Sequence, residues 1–417
     1  MNASTQSVRA ADPCAGAGLL TVDEALIRIM ADVQPVRETE RLPLSAAFGR
    51  VLAADHHAVI DVPGFDNSAM DGYAVRSCDT RDERLLSVSQ RIPAGQIGLA
   101  LAPGTAARVF TGAPLPPGAD SVVRQEECRV DAAAIHVSRR VEPGENVRPR
   151  GHDVGAGNKI LARGEVLTPQ AAGLAASVGL ATVSVYRRPR VAVFFTGDEL
   201  ADWGADLLPG QIYNSNRAVL LGLVRALGLD AVDLGTVDDC LEATGAALKA
   251  AAAGADVILT TGGVSVGEED HVRSAVLSAG TLDLWRVAIK PGKPLAFGAV
   301  GGVPFFGLPG NPVSALVTFL MFSRPYLLRL AGRAAWEARW WPVSAGFTRQ
   351  HPQQRCEFLR ARLRHQGDTL YADPCAGQSS DALTGVVRTV GLVEIPARRQ
   401  VAHGDMLRFF SYADLLG

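Results

Sequence analysis

Apolar and polar positions alternate along this chain with periods that change from region to region. After Thr21-Val22-Asp23-Glu24 come Ala25, Leu26, Ile29 and Met30; a Thr three residues ahead of a Glu forms a capping box, and the apolar spacing predicts a helix. From about Ala53 to Val147 short apolar runs are cut by Gly and Pro, as in Arg91-Ile92-Pro93-Ala94-Gly95-Gln96 and the segment from Thr111 to Gly118. That texture predicts a β-rich domain. At Leu167-Thr168-Pro169-Gln170 a Pro-started helix follows, Ala171 to Val178. If it rejoins the first helix as a connecting element, the β-rich segment is an insertion.

From Arg190 strands and helices alternate. Val191 to Phe195 reads as a buried strand, Ala218 to Leu227 as a helix and Ala231 to Leu234 as a strand. An Ala-rich helix from Leu241 to Ala253, a strand from Asp256 to Leu259 and a helix from about His271 come next. This order predicts a parallel, doubly wound α/β sheet. From about Trp336 alternation returns, as in Glu357 to Leu363 and Met406 to Phe410, and predicts a small C-terminal β domain.

Length and composition narrow the function. At 417 residues the chain exceeds the size at which one core usually stops growing, so several domains are expected. A formal charge of -2 supplies no large field for polyanions, which leaves nucleic-acid and membrane-surface partners unsupported. The six cysteines are scattered without a C-x-x-C pair, so no zinc site or disulfide framework is expected and the thiols read as reduced. Residues 1–18 lack an apolar core of signal-peptide length, and no later run is expected to approach a membrane span. A soluble, cytoplasmic protein is the expectation.

In an open parallel sheet ligands bind beyond the carboxyl ends of the strands. The turn Thr196-Gly197-Asp198-Glu199-Leu200 offers two carboxylates, and the segment Thr260 to Asp270 offers glycines allowing close backbone approach followed by three acids. These residues suit a phosphate-cradling turn with carboxylates for a divalent cation; glycine turns with acids capping a helix explain them equally. Asp238-Asp239 is a third acidic turn with the same two readings. In Ile289-Lys290-Pro291-Gly292-Lys293-Pro294 two lysines stiffened by prolines hold charge in one direction, which suits an oxyanion or phosphate. Gly307 to Ser314 again sets Gly and Asn at a helix start, for capping or ligand contact. In the β-rich region Pro63 to Ala74 packs acids, an amide and a hydroxyl into turns that Asx turns also explain.

Together these segments resemble the MoeA-type molybdopterin molybdotransferase family, which is related to the gephyrin E domain. The resemblance runs in family order from about Thr21 to the C-terminus. It rests on Phe65 to Tyr73, Thr111-Gly112-Ala113, Arg150-Gly151-His152-Asp153, Thr196 to Leu200, Tyr213-Asn214-Ser215-Asn216, Gly262 to Gly267, Lys290 to Pro294 and Gly307 to Pro312.

What the resemblance implies is a tail at 1–20, a discontinuous linker domain at 21–52 and 148–184, an inserted β-rich domain at 53–147, a molybdopterin-binding-like α/β domain at 185–332 and a C-terminal β-barrel domain at 333–417. It implies a homodimer with a cleft shared between subunits. The implied reaction inserts molybdenum from molybdate into adenylylated molybdopterin and releases AMP, with Mg²⁺ present. The implied catalytic set is Asp66, Glu199, Asp270, Lys290 and Lys293, with Glu199, Asp238 and Asp270 handling metal. Asn67, Ser68, Thr111, Asp153, Gly262, Gly263, Ser265, Pro294, Pro309, Asn311, Arg360 and Ser380 would contact the ligand. The molybdopterin adenylyltransferase of the preceding step and recipient molybdoenzymes would be its partners.

The chain departs from the family pattern at one place. Where Gln-Gly-Ser-Gly is common it has Gln378-Ser379-Ser380-Asp381, and a usual Ser pair reads Thr384-Gly385. An added acid beside an oxyanion pocket is electrostatically unwelcome and bears on the choice between molybdate and tungstate. Two other readings are an ATP-dependent adenylyltransferase, against which Gly262-Gly263-Val264-Ser265 replaces the usual Gly-Gly-Thr-Gly, and a non-catalytic scaffold binding the cofactor.

Overall fold

The first helix, α1 (Val22–Met30), starts where its capping box lies: Thr21 N–H donates to Glu24 Oε2 at 2.8 Å and Glu24 N–H to Thr21 Oγ1 at 3.2 Å. The computed structural model describes residues 19–81, 84–263 and 271–416. These form two units, residues 40–185 and the remainder on either side of them. The tail expected at 1–20 lies outside the described residues as far as residue 18, and Leu20 bridges Val287.

In the larger unit the alternation read from the sequence appears as β1 (Arg190–Thr196), α2 (Ser215–Ala226), β2 (Asp230–Val237), α3 (Leu241–Gly254), β3 (Val257–Thr261) and α4 (His271–Ala279). Three further strands follow, β4 (Gly280–Arg286), β5 (Pro294–Val300) and β6 (Val303–Leu308), then α5 (Pro312–Leu330). The sheet order is β2-β1-β3-β6-β5-β4. Neighbours among β2, β1, β3 and β6 are parallel, whereas β5 and β4 are antiparallel additions. The expected parallel sheet is therefore mixed. The turn Gly301-Gly302, with φ of 57° and 84°, reverses β5 into β6, a geometry that two glycines allow without strain.

Successive residues of the strands point to opposite faces, and both faces are covered. Phe194, Ile258 and Phe305 pack with Leu248 and Ala251 of α3 and Val272 and Val276 of α4. On the other face Phe306 lies 5.2 Å and Phe297 5.9 Å, ring centroid to centroid, from Tyr326 of α5. Burial in this apolar layer pushes the Tyr326 phenol up to about 12. The expectation that no run approaches a membrane span is corrected here: α5 has 19 residues with a mean hydropathy of 1.2, long and apolar enough by that test, but 89% of it is buried against the sheet and its neighbours.

The C-terminal strands β7 (Trp341–Ala345), β8 (Cys356–Gln366), β9 (Thr369–Pro374), β10 (Gly391–Ile395) and β11 (Met406–Ser411) run in the order β8-β9-β7-β11-β10. Pairing of β8 with β10 closes them into a five-stranded barrel. The pair β7 and β9 is parallel and the rest are antiparallel. Val343, Leu359, Ala361, Val393 and Phe409 fill its interior, so the alternate residues of β8, Arg360, Arg362 and Arg364, stand on its outside.

The smaller unit carries a six-stranded sheet in the order 121–124, 72–75, 105–109, 85–92, 134–137 and 128–131. Leu86, Val123 and Ile135 are buried on one side of it, Ile92, Ala107 and Val122 on the other. A second core joins Leu52, Leu161, Leu167 and Val185 to Ala172 and Ala175 of the helix Pro169–Ser177. Thr168 caps that helix and proline opens it, as its sequence predicts. The cysteines among the described residues are all free thiols.

Candidate active site

Beyond the carboxyl ends of β1, β3 and β6 lies a cleft of about 630 Å³ within the larger unit. Chain order reverses between β1 and β3, the switch point where open α/β sheets bind ligands. Thr196 and Thr261 form its floor, and Pro309, Gly310 and Asn311 one wall.

Close approach of the turns requires glycine. Gly262 has φ of +91°, and a methyl there would stand 2.3 Å from the Thr196 carbonyl oxygen. A Cβ on Gly310 would lie 4.0 Å from Gly262 Cα, so the turns after β3 and β6 abut. The start of α2 forms the other side. Asn214 caps the helix by accepting from Arg217 N–H at 3.0 Å and donates to Thr236 Oγ1 at 3.2 Å. Asn216 reaches from the same turn to donate to the Gly310 carbonyl at 2.6 Å and to Thr261 Oγ1 at 3.3 Å. Asn216 Oδ1 and Thr196 Oγ1 are buried without a partner among the described residues. Buried acceptors and hydroxyls are normally satisfied, so these two mark the floor as built for a polar ligand.

Among the described residues the only charged side chains lining the cleft are Glu199 and Asp381. Glu199 is exposed, its carboxylate folded over the first turn; a methyl on Gly197 would meet Glu199 Oε2 at 2.6 Å. Asp381 arrives on a loop from the barrel. A hydrogen bond from Ser379 Oγ holds its carboxyl below the usual range. Ser380, beside it, accepts at Oγ from Asn311 Nδ2 at 3.0 Å and through its carbonyl from Val313 N–H at 2.9 Å.

The remaining sequence-derived candidates fall into distinct places. Gly263, Pro294 and Pro309 line the cleft. Lys290 pairs at 3.0 Å with Glu357, a buried carboxylate that also pairs with Arg349. Lys293 is exposed. Arg360 is 1% exposed and donates to the carbonyls of Gly377 at 2.8 Å, Ser379 at 2.9 Å and Ala382 at 2.9 Å. It therefore braces the loop that carries Ser380 and Asp381. Asp238 is exposed, and among the described residues no three His, Cys, Asp or Glu side chains converge as metal ligands. Ser265 and Asp270 lie outside the described residues.

In the smaller unit Asp66 is exposed and accepts from Arg150 N–H at 2.8 Å. Asn67 and Ser68 are buried in the strand Asn67–Ser68, which pairs with Val147–Arg148. Asn67 Oδ1 has no partner among the described residues. Thr111 donates from both N–H and Oγ1 to Asp71 Oδ1 at 2.8 Å, bonds that hold the Asp71 carboxyl below its usual range. Asp153 N–H donates to the Val62 carbonyl at 2.9 Å, and its side chain is exposed.

Comparison with known proteins decides the family. Residues 20–179 match the MoeA N-terminal region (domain I and II), 192–329 a probable molybdopterin binding domain and 343–409 the MoeA C-terminal region (domain IV). The chain is 40% identical over 404 residues to molybdopterin molybdenumtransferase 2 of Mycobacterium tuberculosis, covering 91% of this chain and 97% of that one. It is 41% identical over 321 residues to the molybdopterin molybdenumtransferase of Haemophilus influenzae, covering 76% and 80%. The molybdopterin biosynthesis MoeA protein of Pyrococcus horikoshii superposes with a TM-score of 0.83 at 28% identity, over 95% of this chain and all of that one. The chain belongs to the MoeA family of molybdopterin molybdenumtransferases.

Within this MoeA-type chain some site features escape sequence reasoning. Asn216 and Asn214 stand at a helix start, where polar residues read as caps, and only the fold brings Asn216 to Gly310. Asp381 is visible as a departure from the family pattern, but its place in the cleft depends on the buried Arg360. The Thr196 and Thr261 hydroxyls end apolar strands and carry no signal of their own.

Proposed function

We propose that this protein inserts molybdenum from molybdate into adenylylated molybdopterin and releases AMP. The observation that carries this reading is the match of all three MoeA regions along the chain, joined to a switch-point cleft with unsatisfied polar atoms in its floor. The glycine turns let backbone approach a phosphoanhydride closely, and Asn216, Asn311 and Ser380 supply neutral donors and acceptors around it.

Mg²⁺ fits this donor set. It takes one or two carboxylates and otherwise water and substrate phosphates, and Glu199 presents one exposed hard oxygen donor on the cleft wall. Bound there, the cation would offset phosphate charge. Asp270 and Asp238 keep the metal-handling roles, and Lys290 and Lys293 the anion-holding role, that the family resemblance gives them. We further infer a cytoplasmic homodimer in which Asp66, whose exposed carboxylate accepts one hydrogen bond, completes the cleft of a second copy. The molybdopterin adenylyltransferase and recipient molybdoenzymes are its proposed partners.

The test incubates purified protein with adenylylated molybdopterin, Mg²⁺ and molybdate, following AMP release and reconstitution of an apo-molybdoenzyme. Molybdate-dependent AMP release is expected; its absence overturns the proposal. Glu199→Gln should lower turnover by at least about a hundredfold, in the range of losing a group that acts on the reacting centre, with an unchanged circular dichroism spectrum. Wild-type rates would remove Glu199 from the mechanism.

A further inference from the structure

A second cavity, of about 610 Å³, opens on the outside of the C-terminal barrel. Its lining carries three guanidinium groups, Arg362, Arg364 and Arg388, and a single carboxylate, Asp373. The charges are unequally used. Arg364 is committed: Nε donates to Asp373 Oδ2 at 2.7 Å and Nη1 to Gln366 Oε1 at 2.8 Å, and its guanidinium lies 5.1 Å from the Tyr371 ring centroid. Among the described residues Arg362 spends only Nε, on the Arg388 carbonyl at 2.7 Å. No hydrogen bond or ion pair among the described residues engages the Arg388 guanidinium, which stands exposed at the end of the short helix α6 (Leu383–Val387).

Each guanidinium has five N–H donors, so two of the three keep most of theirs, and the lining has an excess of two positive charges over its carboxylate. Placing like charges around one concavity is unfavourable unless an anion joins them. The lining also includes Leu363 and Pro374, apolar surface that a bare ion would not use, and the volume is that of a small-molecule site. The forked donors of arginine match tetrahedral oxyanions bidentately.

We propose that this cavity binds a small phosphate monoester, its phosphate held by Arg362 and Arg388 and its organic part against Leu363 and Pro374. The site is separate from the cleft but shares a wall with it. Gly377 and Ala382 line this cavity, Asp381 lines the cleft, and Arg360 pins the carbonyls of Gly377, Ser379 and Ala382 between them.

Calorimetric titration of the full-length protein with glycerol 3-phosphate, inorganic phosphate and acetate tests this. Saturable binding of glycerol 3-phosphate is expected, weaker for inorganic phosphate and undetectable for acetate. Arg388→Gln and Arg362→Gln should each weaken it roughly tenfold, the worth of one charge-assisted contact, with unchanged thermal unfolding, while Lys293→Gln leaves it intact. Arg388 is an exposed side chain without partners among the described residues, so its variant keeps the fold. No saturable binding by wild type, equal affinity in Arg388→Gln, or loss in Lys293→Gln instead would each overturn the proposal.

Discussion

Asn216 donates from Nδ2 to the carbonyl oxygen of Gly310 at 2.6 Å, tying the first turn of α2 to the turn after β6. The bond is part-buried, and the Asn216 acceptor beside it has no protein partner. Asn216→Ala leaves the Gly310 carbonyl unsatisfied, which costs about 1–3 kcal/mol. Urea unfolding should register that loss, and KM for the pterin substrate should rise at the same time. A variant with wild-type stability and KM would show the clamp to be dispensable.

Gly262→Ala meets both a left-handed backbone and the Thr196 carbonyl. Relief requires the turn after β3 to move away from β1, so a loss of about 2 kcal/mol or more is expected, together with a collapse of activity. Thermal unfolding and AMP release measured on one preparation check both effects. Full activity would mean that the two turns need not abut.

Arg360→Lys replaces a fork serving three carbonyls with a single ammonium that cannot span them. The expected cost is about 2–4 kcal/mol, from buried carbonyls left without donors. Amide exchange over residues 377–383 should quicken more than exchange in β8 itself. Unchanged protection of that loop would refute its bracing by Arg360.

Asp381→Asn removes one of the two negative charges on the described cleft wall. The Ser379 hydroxyl holds the native carboxyl below the usual carboxylate range, so the charge removed is a full one at neutral pH. KM for molybdate should fall roughly two- to fivefold at low salt and converge with wild type as salt screens the field. A salt-independent or opposite change would show that Asp381 acts other than through charge.

Acid stability should depend on Asp256. Burial alone would raise its pKa, but Arg187 donates to both its oxygens at 2.9 Å and the Arg190 N–H adds a third bond, so the net shift is downward. A lowered folded-state value contributes stability that is complete above the unfolded carboxylate value of about 4 and disappears as pH falls through the folded one. Asp256→Asn should therefore narrow its deficit relative to wild type only below about pH 4, as followed by urea midpoints. A deficit constant from pH 7 to pH 3 would exclude this linkage.

Much of the fold was legible because local signals and tertiary packing agree. Thr21 with Glu24, and Thr168 with Pro169, start helices where capping chemistry says they should, and the apolar run from Val191 to Phe195 is a central strand. The antiparallel strands β4 and β5 were not legible: Lys290 and the prolines around it dominate that stretch as a loop, and its pairing depends on β6. Of α5 only the start at Asn311 and Pro312 was legible; the rest is apolar nearly all round and so lacks the stripe that marks an amphipathic helix. At the site, Glu199, Gly262 and Asn311 were readable as strand-end turns, while Arg360 was read as a ligand contact and its buried position under three carbonyls emerges only from the barrel.

Glu38 and Arg187 flank the point where the larger unit is interrupted. The Arg187 N–H donates to the Glu38 carbonyl at 3.0 Å, and its guanidinium joins Glu38 to Asp256. The chain thus leaves and re-enters that unit through one doorway a single hydrogen bond wide. For the larger unit the excursion between is topologically a surface loop, whose length costs closure entropy only logarithmically. On the ribosome, however, Leu20 and α1 are made well before Val287 and α5, so these early residues find their place only after the whole excursion has been synthesised.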